Sequence, residues 1–234
     1  MPVMDAQSLL VCWERGRSRH PLDRAVLLHA AAVPSQDADS LPDRPLGERN
    51  AALLRLHEQL AGDALQSSVD CPECHERLEF ALSSSTLRAR AVAAPPHVRV
   101  GDVTVRVPTT RDLASIANEP DEAVAARTLL QRLISQEVVA EHSFDAPTLD
   151  QLTRALEDAD PCADLTVDST CPACGHAWNA PLDVAAFLWE EIDVRARRLL
   201  DEVHVLAHAY GWTEREILRL SDARRGAYLE RVLA

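Results

Sequence analysis

The chain has 234 residues, enough to bury a sizeable core as one large domain or two small ones. All 24 basic residues are Arg, and the formal charge of −13 argues against a non-specific nucleic-acid binder, because phosphate binding needs a basic face. No apolar run is long enough to span a bilayer.

The N-terminal Met1-Pro2-Val3-Met4-Asp5 lacks the basic region and hydrophobic core of a signal peptide, so a cytoplasmic protein with reduced thiols is expected. Clustered apolar residues predict helices over 4–14 and 21–32, broken near His20-Pro21. Residues 34–45, rich in Pro, Asp and Ser, read as an exposed connector. Leu53, Leu56 and Leu60 recur at helical spacing over 47–61, and Gly62 is placed to end that helix. Residues 83–96 are rich in Ser, Ala and Pro and read as a loop. The alternation of Val98, Val100, Val103, Val105 and Val107 about Gly101-Asp102 predicts a β-hairpin with a two-residue turn. Helices follow over 111–118, capped by Thr110, over 122–136, and from a Thr148/Gln151 capping box to about 158.

A long amphipathic helix is predicted over 183–210, with Val184, Leu188, Ile192, Ala196, Leu199, Val203, Leu206 and Tyr210 stepping by three and four and Gly211 ending it. Phe187, Leu200 and Val205 widen its apolar face, which therefore needs cover on more than one side. Thr213 and Glu216 form a second capping box, with Trp212 placed to staple onto Ile217. Ser221 is set to cap a last helix holding Tyr228, Leu229 and Val232. In outline this unit resembles a helix-turn-helix. From Trp212 onward the one adjacent basic pair, Arg224-Arg225, is too small to hold phosphates, and a compact packing unit is the favoured reading.

The chain is organised around two matching knuckles, Cys71-Pro72-Glu73-Cys74 and Cys171-Pro172-Ala173-Cys174, with 96 residues between them. Each Cys-x-x-Cys turn lets two thiolates reach one ion, and two such turns complete a closed tetrahedral site. The spacing exceeds the usual ribbon spacing of about 15–20 residues, so the fold itself must bring the pairs together. The expected cofactor is one structural Zn2+ on Cys71, Cys74, Cys171 and Cys174. The competing readings are disulfides or a thioredoxin-like redox pair, but neither copy opens a helix after a buried strand as a redox motif does. His75 and His176 read as solvated knuckle side chains, because four thiolates already fill the sphere. Cys12 and Cys162 read as small buried hydrophobes. His204 and His208 lie four apart on the long helix, lack a third ligand and read as flanking its apolar stripe, partly buried.

There is no Gly-rich phosphate loop, nucleophile elbow or HExxH motif. A closed four-thiolate site leaves no open coordination position for catalysis. The expectation is a protein that is not an enzyme, with no catalytic residues, no small-molecule substrate and no membrane or nucleic-acid partner.

The stretch from Leu46-Gly47-Glu48-Arg49-Asn50 to Leu54, the first knuckle with Leu78-Glu79-Phe80, and Val107-Pro108-Thr109-Thr110-Arg111-Asp112-Leu113 are similar to segments of a known family. So are Phe187-Leu188-Trp189-Glu190-Glu191-Ile192, Leu200 to Ala207, and Tyr210 to Glu214. The chain from about residue 46 onward resembles the T4-type phage baseplate hub assembly chaperone-like proteins, encoded with phage contractile tails and phage-tail-like contractile injection systems. The resemblance implies a role in building the baseplate hub, with hub or spike-associated proteins as partners, and implies no catalytic residues.

The expected fold is mainly α with a small β part, a split four-cysteine zinc ribbon with a helical insertion and a C-terminal helical unit. Its divisions are 1–66 (helices and connector), 67–82 (first knuckle), 83–163 (insertion), 164–180 (second knuckle) and 181–234 (C-terminal unit). The alternatives are a zinc-ribbon regulatory module acting on nucleic acid or the transcription machinery, and a redox protein.

Overall fold

The structure is a computed structural model that describes residues 4–134 and 146–233. It is mainly helical with three small antiparallel sheets, and it forms two compact units, residues 32–184 and the segments before 32 and from 185 onward.

In the 32–184 unit, helix α3 (Leu46–Ala61) follows a 3-10 turn at Ala38–Asp43 in the expected connector. It buries Leu46, Leu53, Leu54 and Leu56 and ends at Gly62, whose φ of 88° lies in the left-handed region glycine tolerates. Strands β1 (Ala64–Asp70) and β2 (Arg77–Ser83) pair in register from Ala64 with Ser83 to Asp70 with Arg77. Part of the stretch expected as a loop is a helix, α4 (Ser84–Arg88). Its caps explain the difference: Thr86 N–H donates to Ser83 Oγ at 3.1 Å and Ser85 N–H to Asp63 Oδ1 at 2.8 Å. Arg88 then fixes α4 on α3 with bonds to both Glu58 carboxylate oxygens at 2.8 and 3.1 Å.

Strands β3 (Val98–Val100) and β4 (Val103–Val105) form the expected hairpin, with Gly101 at φ 58° in its turn. Helix α5 (Thr110–Ile116) is capped by Thr109, one residue earlier than expected, because Asp112 is the residue that reaches back to complete the capping box. Helix α6 (Glu122–Leu133) starts on Asp121, and the expected continuation to 136 lies outside the described residues. Helix α7 (Ala146–Ala159) places Thr148 inside the helix rather than at its cap. Val103, Val105, Leu133, Ile134 and Leu152 form the buried core of this insertion. Strands β5 (Thr166–Thr170) and β6 (Ala177–Pro181) pair from Thr166 with Pro181 to Thr170 with Ala177.

Asp112 also ties this unit together. Burial works against its ionisation, yet both Arg106 amino groups, at 2.6 and 2.7 Å, and the hydroxyl and N–H of Thr109 outweigh burial and hold its pKa at about 2. A carboxylate depressed from about 3.9 contributes stability that is present above pH 4 and lost as the pH falls through 2. The stability gap between the parent and Asp112→Asn is therefore expected to be about 2 kcal/mol at pH 6 and to close between pH 4 and pH 2 in denaturant titrations.

The other unit holds α1 (Ala6–Gly16), α2 (Pro21–Ala32), α8 (Val184–Tyr210), α9 (Glu214–Leu218) and α10 (Asp222–Leu233). Along α8, Leu188, Ile192, Ala196, Leu199 and Leu206 are buried, the stripe read from the sequence. Phe187 and Val205 are half-buried, while Leu200 and Val194 are exposed. Gly16 lies against the indole of Trp189, leaving no room for a Cβ. Thr213 and Glu216 form the expected capping box, and Ser221 Oγ accepts from Arg224 N–H at 3.4 Å. Trp212 packs between Tyr210 and Tyr228, with centroids 4.7 and 4.9 Å away. Arg225 is buried and bonded to Glu202, Asp222 and the Leu220 carbonyl at 2.7, 2.8 and 3.0 Å, so it is a structural cation here.

Candidate metal centre

Each knuckle is the turn of a hairpin. In the first, Cys71 N–H donates to the Glu76 carbonyl at 2.9 Å and His75 N–H to the Cys71 carbonyl at 2.9 Å. In the second, Cys171 N–H donates to His176 at 2.8 Å and Gly175 N–H to Cys171 at 2.9 Å. The two turns are therefore conformational copies joining β1 to β2 and β5 to β6. The two hairpins remain separate two-stranded sheets.

The fold brings the two turns face to face. Cys71 Sγ lies 3.7 Å from Cys174 Sγ, Cys74 Sγ lies 3.5 Å from Cys171 Sγ, and all four sulfurs fall within 4.8 Å of one another. The pairing is reciprocal, the first cysteine of each knuckle against the second of the other, as a local two-fold would give. A tetrahedral ion with metal–sulfur bonds of about 2.3 Å requires sulfur separations of about 3.8 Å. These spacings match that figure and are well beyond a disulfide bond of about 2 Å, and all four cysteines are free. Cys71 and Cys171 are buried, while Cys74 and Cys174 are exposed. The four thiols could hold a metal ion, and they are the only such group of His, Cys, Asp or Glu among the described residues.

Electrostatics fit the same role. The backbone N–H of Cys174, and after it that of Ala173, points at Cys171 Sγ and lowers its pKa to about 7, against a smaller opposing effect of burial. The Glu76 N–H likewise favours the Cys74 thiolate, but burial and the neighbouring thiols outweigh it and push that group up to about 12. Ionising all four sulfurs this close together would require a cation among them, so a metal that bound here would displace protons.

His75 is exposed, and His176 stacks on Trp178 at 5.8 Å; neither joins the thiol group. His75 has φ 61°, where its counterpart Gly175 has φ 75°. Left-handed backbone costs a residue with a Cβ about 1–2 kcal/mol, so His75→Gly is expected to stabilise the chain by about 1 kcal/mol with metal content unchanged. Calorimetry with metal analysis checks this.

Cys12 and Cys162 are buried, as read, and neither belongs to the thiol group. Burial raises the Cys12 pKa to about 11, with Arg15 opposing. Cys162 donates to the Leu87 carbonyl at 3.6 Å. His204 and His208 are both exposed, where partial burial was expected, and no third ligand joins them among the described residues. No described helix is long and apolar enough to cross a membrane.

Sequence reasoning missed a buried polar network beside α3. Arg49 donates through Nε and Nη2 to Asn50 Oδ1 at 3.1 and 2.9 Å and through Nη1 to Thr110 Oγ1 at 3.0 Å. Asn50 Nδ2 donates to the carbonyls of Cys162 and Ala163 at 2.8 and 3.2 Å, and Gly47 N–H donates to Asp160 Oδ2 at 2.9 Å. The available signal was two polar residues, Arg49 and Asn50, on the Leu46/Leu53 stripe of an amphipathic helix. Compared with known proteins, the chain matches no family model, no curated protein and no solved structure.

Proposed function

We propose that this chain is a non-enzymatic assembly or structural factor whose 32–184 unit is a split zinc ribbon stapled by one structural Zn2+, and which acts through protein–protein contacts. The observation that carries the zinc reading is the reciprocal sulfur spacing of 3.5 and 3.7 Å between two copies of one turn. An all-thiolate tetrahedral set is the donor chemistry of structural zinc. The knuckles supply the ligands, and the bound ion contributes binding energy that is folding energy. Four protein sulfurs fill the coordination sphere, so the ion would have no position for substrate.

The setting of that role is the baseplate hub of a phage tail or phage-tail-like contractile injection system, with hub or spike-associated proteins as partners. This part rests on the sequence resemblance carried by the paired knuckles and by residues 187–214. The amphipathic α8, with Val194 64% and Leu200 38% exposed, supplies apolar surface for a partner.

Metal analysis of untagged, chelator-free protein should find about one zinc per chain. Deleting the gene should leave sheath and tube proteins with few complete particles, and capture from the native host should recover hub or spike components. Normal particle numbers together with a capture dominated by DNA or RNA polymerase would replace this reading with the regulatory one.

A further inference from the structure

The helical unit of α1, α2 and α8 contains a cleft of about 470 Å3 that none of the chemistry above uses. Half-buried Trp13 and a small exposed part of the otherwise buried Trp189 are its aromatic lining, in a mostly polar cleft. Each indole carries a guanidinium: Arg17 lies 5.4 Å from the Trp13 centroid and Arg24 4.7 Å from that of Trp189. The walls are held from behind. Asp193 accepts from Trp13 Nε1 at 2.6 Å and from Arg197 Nε at 2.7 Å, and Gly16 lets Trp189 lie directly on α1. Arg24 spends Nε and Nη2 on the Gly16 and Arg17 carbonyls at 3.0 and 2.9 Å, which fixes the turn between α1 and α2.

Arg17 is different. Among the described residues its guanidinium makes no hydrogen bond or ion pair, and it lies over the indole face of Trp13. It is thus an oriented and uncommitted cation at the mouth of a preformed cleft. Including Glu190, the lining carries one net positive charge in a chain whose formal charge is −13.

We infer that this cleft docks an acidic segment of a protein partner, one Asp or Glu carboxylate pairing with Arg17 while an adjoining apolar side chain lies against Trp13 and Trp189. A guanidinium on an aromatic face presents a planar fork that matches a carboxylate. Trp and Arg are the residues that concentrate binding energy at protein interfaces. Glu190 and Asp193 would repel a phosphate dianion and leave a single carboxylate as the better match. Arg17, Ser18 and Glu190 are exposed at the rim, so the cleft suits a side chain offered by a larger partner better than a small molecule, which needs most of its surface covered.

The test is a titration of the full-length zinc-loaded chain followed by the indole N–H resonances of its four tryptophans. The probes are a capped hexapeptide of alternating Glu and Leu, its Gln counterpart, inorganic phosphate and a ten-nucleotide oligothymidylate. The Glu peptide should shift the Trp13 and Trp189 signals saturably and leave Trp178 and Trp212 in place. Arg17→Ala, a change at an exposed side chain, should weaken that binding about tenfold. Unmoved Trp13 and Trp189 signals, an equal response to the Gln peptide, or no loss in Arg17→Ala overturns the proposal. Stronger binding of phosphate or oligothymidylate overturns it in favour of a phosphate site. Peptide binding is read in purified protein and particle assembly in cells, so failure of one leaves the other standing.

Discussion

Cys171→Ser is expected to leave little soluble protein, and what remains should melt roughly 15 °C lower and carry well under one equivalent of zinc. The sulfur of Cys171 is buried, 3.5 Å from that of Cys74, and bonded by the N–H groups of its own knuckle. A serine hydroxyl is a poorer and shorter ligand, and three thiolates without a fourth leave an open, hydrolysable site. The consequence would reach beyond the knuckle, because an ion bound here would join two turns separated by 96 residues of chain. Each hairpin is a two-stranded sheet, marginal by itself in water. Prolonged chelation of the parent protein should reproduce the same loss. Zinc content by mass spectrometry and melting by calorimetry check it. A Cys171→Ser chain with parental melting and a full equivalent of zinc would sink the structural-metal reading.

Asn50→Ala is expected to cost about 3 kcal/mol and lower the melting temperature by roughly 10 °C. The truncation takes the acceptor from two Arg49 donors and the donor from the Cys162 and Ala163 carbonyls. Arg49 and Asn50 are 7% and 5% exposed, so water cannot replace these partners freely. Burial already lowers the Arg49 pKa, with only partial help from the charge of Asp183. A guanidinium left buried with fewer acceptors is among the costlier single changes a core can suffer. Thermal melting of Asn50→Ala at fixed zinc occupancy measures the effect, and a shift below about 3 °C would show that the network is dispensable.

Local elements were legible because local signals decide them. The α8 stripe from Val184 to Leu206, the Gly62 and Gly211 stops, the Thr213/Glu216 box and the Gly101 turn all depend on residues within a few positions of one another. The donor set was legible for a similar reason. Cys-Pro-x-Cys is a self-contained turn, and its repetition made Cys71, Cys74, Cys171 and Cys174 one set despite the distance between them. Misplaced details arose where two local devices competed. Thr109 and Thr110 were both able to cap α5, and the Asp112 carboxylate selected Thr109. The Ser-rich stretch after β2 became α4 because Ser83 and Asp63 capped it, a pairing across 22 residues in the case of Asp63 and Ser85.

By itself, then, the sequence determined most of the helices, the β3–β4 hairpin, the two Cys-Pro-x-Cys turns and a net acidic charge. Tertiary structure alone decided which long-range partners meet. It placed the two knuckles so that sulfurs pair across 3.5 and 3.7 Å, grouped the first two helices with the last three, and turned Arg225 inward onto Glu202. It also set Trp13 and Trp189 in one cleft with Arg17. The physical reason is that periodicity and capping are set by neighbours along the chain, whereas metal geometry, buried polar networks and clefts depend on side chains whose meeting the chain's order does not encode.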